Sequence, residues 1–221
     1  GVTMDPTNGL TVDRNKNGVY VMNSSGGYLQ AKDIKAVVSG MDAIVVLDKT
    51  PFYAESGGQV GDLGVIRSGS FVFEVNSVSR NQNGIFLHSG KLVSGSANEG
   101  DMVLTEVNDL TRSSTCRNHT AAHLLQAALR QILGDHVEQA GQLVTKDEVR
   151  FDFTHFSALT DDELKQVEDT VNKVIFSSIP VISKEMPIDE AKALGAMALF
   201  GEKYGDIVRV VSVQGFSTEL C

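Results

Sequence analysis

Residues 118–134 read NHTAAHLLQAALRQILG, and their spacing decides how the chain folds. Leu124, Leu125, Ala128, Leu129 and Ile132 recur at helical intervals, and Ala121 extends the same apolar stripe. Gly134 follows as a residue that tolerates the left-handed backbone of a helix end. The pattern predicts a helix over Asn118–Leu133. His119 and His123 are one helical turn apart and fall opposite the stripe, beside Gln126 and Arg130. They are therefore not expected in the apolar core. Two readings are open: exposed side chains on a solvated face, or two imidazoles converging on one cation.

Away from this helix the chain changes character. Downstream, Thr160-Asp161-Asp162-Glu163 is a capping box. It opens a helix with Leu164, Val167, Val171, Val174 and Ile175 on one face, running to about Ser177. Pro187–Leu194 reads as a short helix ended by Gly195. Strands are expected at Gly141–Val144, Val149–Phe153, Val181–Glu185 and Ile207–Val213. Upstream, short runs rich in Val, Ile and Phe predict strands at Ile34–Ser39, Ala43–Asp48, Phe71–Arg80, Gly84–Lys91 and Asp101–Val107. Fifteen of the 21 glycines precede residue 111, which makes this half rich in turns. Asn81-Gln82-Asn83-Gly84 suits a hairpin loop, because Asn and Gly tolerate positive φ. Residues 1–18 read as a linker or loose arm. The expected class is α+β. A small β-barrel-like domain with a Gly-rich loop spans residues 1–110. An α+β core spans residues 111–221, with the HxxxH helix packed on an antiparallel sheet.

The chain has 221 residues, 19 of them basic and 28 acidic, for a formal net charge of −9. That balance argues against affinity for a polyanion built on a broad cationic surface. No run approaches the roughly 18–20 apolar residues needed to span a bilayer, so no membrane partner is expected. Two cysteines, Cys116 and Cys221, are too few for a disulfide scaffold. They fit a reducing compartment and a cytoplasmic location. A chain opening on Gly1 and closing on Cys221 is expected of a piece excised from a longer one.

The paired histidines lack the Glu that a zincin protease carries after its first His, since Thr120 stands there. A cysteine would complete a His2Cys donor set suited to zinc. Cys221 is one candidate. Cys116, one turn before His119, is the other, though it reads better as a small buried residue, and local spacing does not choose between them. No Ser-His-Asp or Cys-His nucleophile arrangement is visible. Asp152 in Arg150-Phe151-Asp152-Phe153 is open as a general base or as a salt-bridge partner on a strand face. Glu55-Ser56-Gly57-Gly58-Gln59-Val60-Gly61-Asp62 lacks the ending of a P-loop and the spacing of a dinucleotide fingerprint. Arg112, Arg117 and Arg130 flank the histidine helix, as phosphate contacts or as ordinary surface arginines.

Four separated motifs carry a family resemblance: TPFYAESGGQVGDLG at 50–64, NHTAAHLL at 118–125, AMALFGEKYGDIVR at 196–209 and STELC at 217–221. Together they resemble the editing region of the alanyl-tRNA synthetase family over residues 43–221, and more weakly over 1–42. The resemblance implies hydrolysis of the ester joining serine or glycine to tRNA(Ala), within a synthetase whose other domains hold the tRNA. It implies a zinc site of His119, His123 and Cys221, with a fourth ligand just beyond the chain end. It makes the acceptor end of tRNA(Ala) the substrate, and places ATP only in the parent enzyme's aminoacylation domain. Gln139 and Thr120 are expected at the editing pocket, bordered by the Gly-rich loop; the residues alone leave Thr120 equally open to a bond with a helix carbonyl and Gln139 to an exposed strand-edge position. Gln142 stands where the family usually shows Ser. A free-standing trans-editing protein and a metal-poor, non-catalytic tRNA-binding fragment are the alternatives.

Overall fold

The computed structural model describes the backbone of residues 2–5, 9–12, 20–23 and 28–29, and residues 40–98, 100–197 and 205–221 with their side chains. The strand expected at Ile34–Ser39 lies outside the described residues, as do 198–204 of the long third motif. The chain divides into two compact units, Gly1–Ser56 with Val60–Ser113, and Gly57–Gln59 with Ser114–Cys221.

In the first unit, β1 (Val2–Asp5) and β2 (Gly9–Val12) pair antiparallel. Residues 1–18 are therefore not a loose arm throughout, because four-residue strands carry too little alternation to stand out in a polar stretch. The remaining strands are β3 (Tyr20–Asn23), β4 (Tyr28–Leu29), β5 (Asp42–Val46), β6 (Gly64–Ser68), β7 (Phe71–Arg80), β8 (Phe86–Ser94) and β9 (Leu104–Val107). They form one antiparallel sheet in the order β4-β3-β5-β8-β7-β6-β9. Among the described residues this sheet is not closed, so the expected barrel-like closure is not seen there. Its edges β4 and β9 do not pair with each other among the described residues. Closure depends on pairing between the first and last strands, and alternation within strands does not encode it.

β7 organises the core of this unit. Phe71, Phe73, Val75 and Val78 are all buried, and the pairing register shifts between Val75 and Ser77. The extra residue moves the inward positions from odd to even numbers, so Val78 stays in the core. Gly90 pairs with Val75, where a Cβ would lie 1.8 Å from the Glu74 carbonyl oxygen. The β7–β8 loop closes on Asn81, whose Oδ1 accepts from the N–H of Asn83 and of Ile85, each at 3.0 Å. Asp62, also buried, accepts from the Arg112 guanidinium and from the Tyr53 N–H. Arg112 is thereby committed to Asp62 and to the Pro51 carbonyl.

α1 (Asp109–Leu133) starts well before the expected Asn118, on a cap made by Asn108, whose Oδ1 accepts from the Thr111 N–H at 3.0 Å. In the second unit, β10 (Gln139–Val144) and β11 (Val149–Phe153) form an antiparallel hairpin. α2 (Asp161–Phe176) opens on the capping box at Thr160. β12 (Val181–Pro187) leads into α3 (Ile188–Ala193), and β13 (Ile207–Val213) turns back into β14 (Ser217–Leu220). The antiparallel order is β12-β13-β14. Ala128, Leu129, Val137 and Val167 pack with Phe151 and Phe153 in one core, and Ala191, Val208, Val210 and Leu220 form another. Helices and antiparallel sheets together make the chain α+β. No helix among the described residues is long and apolar enough to cross a membrane.

Candidate metal centre

The middle turns of α1 are buried on both sides. Leu124, Ala128 and Leu129 are covered, as the apolar stripe requires, and so are His123 and Gln126. His123 retains 8% exposure and His119 is half-buried, so the solvated-face reading fails for His123. Two short segments of the same unit, β14 and Gly57–Gln59, meet the polar side.

β14 is four residues long, but it is tied on both edges. It pairs with β13, and Met197 exchanges hydrogen bonds with Thr218 and Leu220 at 2.9 and 2.8 Å. The Cys221 N–H donates to the Arg209 carbonyl at 2.9 Å. Alternation then puts Ser217, Glu219 and Cys221 on one face. Gly57–Gln59 is tied to β10. The Val144 N–H donates to the Gly58 carbonyl at 2.8 Å, and Gln142 Nε2 donates to the Gly57 carbonyl at 2.6 Å. Gly58 sits at positive φ, and a Cβ there would stand 2.5 Å from Gln142. Gln142 thus holds the Gly-rich segment.

These supports fix the tautomer of each histidine. Glu219 Oε2 lies 2.5 Å from His123 Nδ1, and Ser217 Oγ donates to Glu219 Oε1 at 3.0 Å. A carboxylate only accepts, so His123 donates from Nδ1, which leaves Nε2 as the nitrogen that offers a lone pair to a cation once its proton is displaced. Gln59 Oε1 lies 2.7 Å from His119 Nδ1. An amide oxygen also only accepts, so the lone pair of His119 is on Nε2, 3.6 Å from Cys221 Sγ. The two rings stack with centroids 5.0 Å apart. Donor atoms of His119, His123 and Cys221 all lie within 4.8 Å of one another.

His123 Nε2 is buried with no hydrogen-bond partner. A buried polar atom left unpaired is costly, and a cation ligated there would satisfy it. Two imidazole nitrogens and a thiolate are a donor set for a transition-metal ion, with each imidazole oriented by a hydrogen bond to its other nitrogen. The electrostatics favour the thiolate. Burial pushes the Cys221 thiol up, but His119 and His123 outweigh it and hold its pKa at about 6. Burial likewise opposes charge on His123, but Cys221 and Glu219 overcome it and raise its pKa to about 9.

Cys116 is an exposed free thiol outside this cluster, which corrects the expectation of a small buried residue. The Thr120 hydroxyl donates to the Cys116 carbonyl at 3.1 Å, one turn back on the helix. Gln139 heads β10, half-buried beside the register shift between Gln139 and Gly141. Neither Thr120 nor Gln139 shares a hydrogen bond with the three-residue cluster. Asp152 pairs with Arg150 Nε at 3.2 Å, on the strand face. Gln59, Glu219 and Ser217 were not foreseen. For Glu219 and Ser217 the available signal was the two-residue spacing back from Cys221. For Gln59 no local pattern announced a contact sixty positions along the chain.

A family profile described as tRNA synthetases class II (A) matches residues 20–111. Curated relatives match more of the chain. The alanine–tRNA ligase of Bacillus velezensis is 55% identical over 80% of this chain, and that of Bacillus subtilis is 52% identical over 85%. The alanine–tRNA ligase of Nitrosomonas europaea is 51% identical over 88%. The chain spans 20%, 21% and 22% of those three proteins, about a fifth of their length.

Proposed function

The chain belongs to the alanyl-tRNA synthetase family, and from that premise we propose that it edits mischarged tRNA(Ala), hydrolysing seryl or glycyl ester with a zinc ion held by His119, His123 and Cys221. The observation that carries the reading is the buried, unpartnered Nε2 of His123 beside the contact of His119 Nε2 with Cys221 Sγ at 3.6 Å. Bound there, zinc supplies Lewis acidity toward a water or an ester carbonyl.

The chemistry has a clear need. A site that selects alanine discriminates against glycine by one methyl group, a difference of about 1–3 kcal/mol. Serine differs by one hydroxyl and is also hard to exclude. A second, hydrolytic site tests the same molecule again. It spares alanyl ester if its polar groups are satisfied only by the serine hydroxyl, because leaving them unpaired costs free energy. Thr120 and Gln139 are the groups we assign to that contact. The Thr120 hydroxyl already donates to the Cys116 carbonyl and so faces a ligand as an acceptor. The acceptor end of tRNA(Ala) is the proposed partner. With a net charge of −9, the rest of the tRNA is better held by other parts of a synthetase.

The test is release of serine from seryl-tRNA(Ala) by the zinc-loaded chain, the chelator-treated chain and His123→Ala. Release by the loaded chain alone, with alanyl-tRNA(Ala) spared, is the expected result. A folded, zinc-loaded chain that releases no serine refutes the editing reading.

A further inference from the structure

The Gly-rich segment supplies one of the hydrogen bonds made to this centre. Three of its residues, Gly57–Gln59, cluster with the second unit. The segment lies along β10 as a parallel bridge between Gln59 and Val144, with Gly58 accepting from the Val144 N–H and Gly57 from Gln142 Nε2. Gln59 is 6% exposed, and its side-chain oxygen accepts from His119 Nδ1.

We propose that Gln59 is a positioning residue for the metal centre, and that metal loading and the docking of Gly57–Gln59 on β10 are coupled. The proposal rests on the reading that His119, His123 and Cys221 hold a cation. His119 has two tautomers, and only the one protonated on Nδ1 presents Nε2 to Cys221. Gln59 Oε1 accepts only from that tautomer. Glu219 does the same for His123, so one ring is oriented from β14 and the other from the Gly-rich segment. Because the Gln59 side chain reaches His119 only while the segment is docked, a cation that requires the oriented imidazole also stabilises the dock. The coupling is reciprocal: loosening the segment weakens the metal.

Zinc affinity, measured by competition with a chromophoric chelator, and the visible absorption of the Co²⁺-loaded chain separate this proposal from the function it rests on. If the wild-type chain binds neither ion, the metal reading fails. If it binds, Gln59→Leu is expected to lose about 10–100-fold in zinc affinity and to weaken the Co²⁺ bands, as is usual when such a supporting hydrogen bond is removed. Gln59→Glu keeps an acceptor and is expected to restore affinity to near wild type. Gln142→Ala touches no ligand and is expected to weaken zinc by a smaller factor. Zinc is also expected to slow amide exchange at Gly58 and Gln59. Wild-type affinity in Gln59→Leu, or equal weakness in Gln59→Glu, overturns the positioning role. Should Gln59→Leu fail to fold, unchanged affinity in Gln142→Ala overturns the coupling.

Discussion

His123 has its two ring nitrogens in opposite situations. Nδ1 is bound to the Glu219 carboxylate, while Nε2 is buried without a partner. The proton that would occupy Nε2 is held up to about pH 9, after the opposing effect of burial, by Cys221 and Glu219. A cation must displace that proton to reach the nitrogen. Zinc affinity is therefore expected to rise as pH rises toward 9 and then level. Below about 6, where Cys221 is also protonated, the fall is expected to steepen. Chelator competition across this range reads the slope directly, and affinity independent of pH contradicts the assignment of His123 as a ligand. At the same scale, Gln126 sits buried beside the pair with its Oε1 unpartnered, and nothing in the sequence distinguished it from a surface glutamine.

Secondary elements divide by how much of their pattern is local. α2 is the most local: Thr160 Oγ1 accepts from the Glu163 N–H at 3.2 Å, and the Thr160 N–H donates back to Glu163 at 2.8 Å. Replacing Thr160 by Ala is expected to cost about 1 kcal/mol in denaturant unfolding near neutral pH. The Thr160 N–H bond, followed by its hydroxyl, holds the Glu163 pKa below its ordinary 4.5. A depressed carboxylate stabilises the fold above that ordinary value and loses its effect as pH falls through the folded one. The difference between wild type and Thr160→Ala is thus expected to shrink in acid, and an unchanged difference contradicts the reciprocal cap. β7, β11 and β13 were legible for the same reason, with alternation or branched apolar runs long enough to mark both ends. β14 was not. Ser-Thr-Glu-Leu has no strand composition, and its order comes from β13 on one side and Met197 on the other. The early turns of α1 were hidden too, because Asn108 and Asp109 sit in a polar stretch before the apolar stripe begins. The site shows the same division. The helical pair His119 and His123 is visible locally, whereas Gln59 and Cys221 join it only through tertiary pairing.

Across the whole molecule, two units of different character share one sequence run. Asp62 anchors its end of the Gly-rich segment within the first unit, through Arg112 and Tyr53. Gln59, three positions earlier, belongs with the second. The acidic surplus is spread over both halves of the chain, 12 acidic against 8 basic residues before residue 111 and 16 against 11 after it. Neither half is therefore a strongly basic domain, which is consistent with the proposal that only the terminal ester of a tRNA enters this site. The central claim is that side chains from the middle of α1 and from Cys221, the residue that follows β14, form one zinc centre. X-ray absorption at the zinc edge of the loaded chain tests it most directly. The account predicts a first shell with nitrogen scatterers at about 2.0–2.1 Å and sulfur at about 2.3 Å, the sulfur lost in Cys221→Ala and the imidazole signal reduced in His119→Ala. A shell of oxygen alone, or a spectrum unchanged in Cys221→Ala, would contradict it.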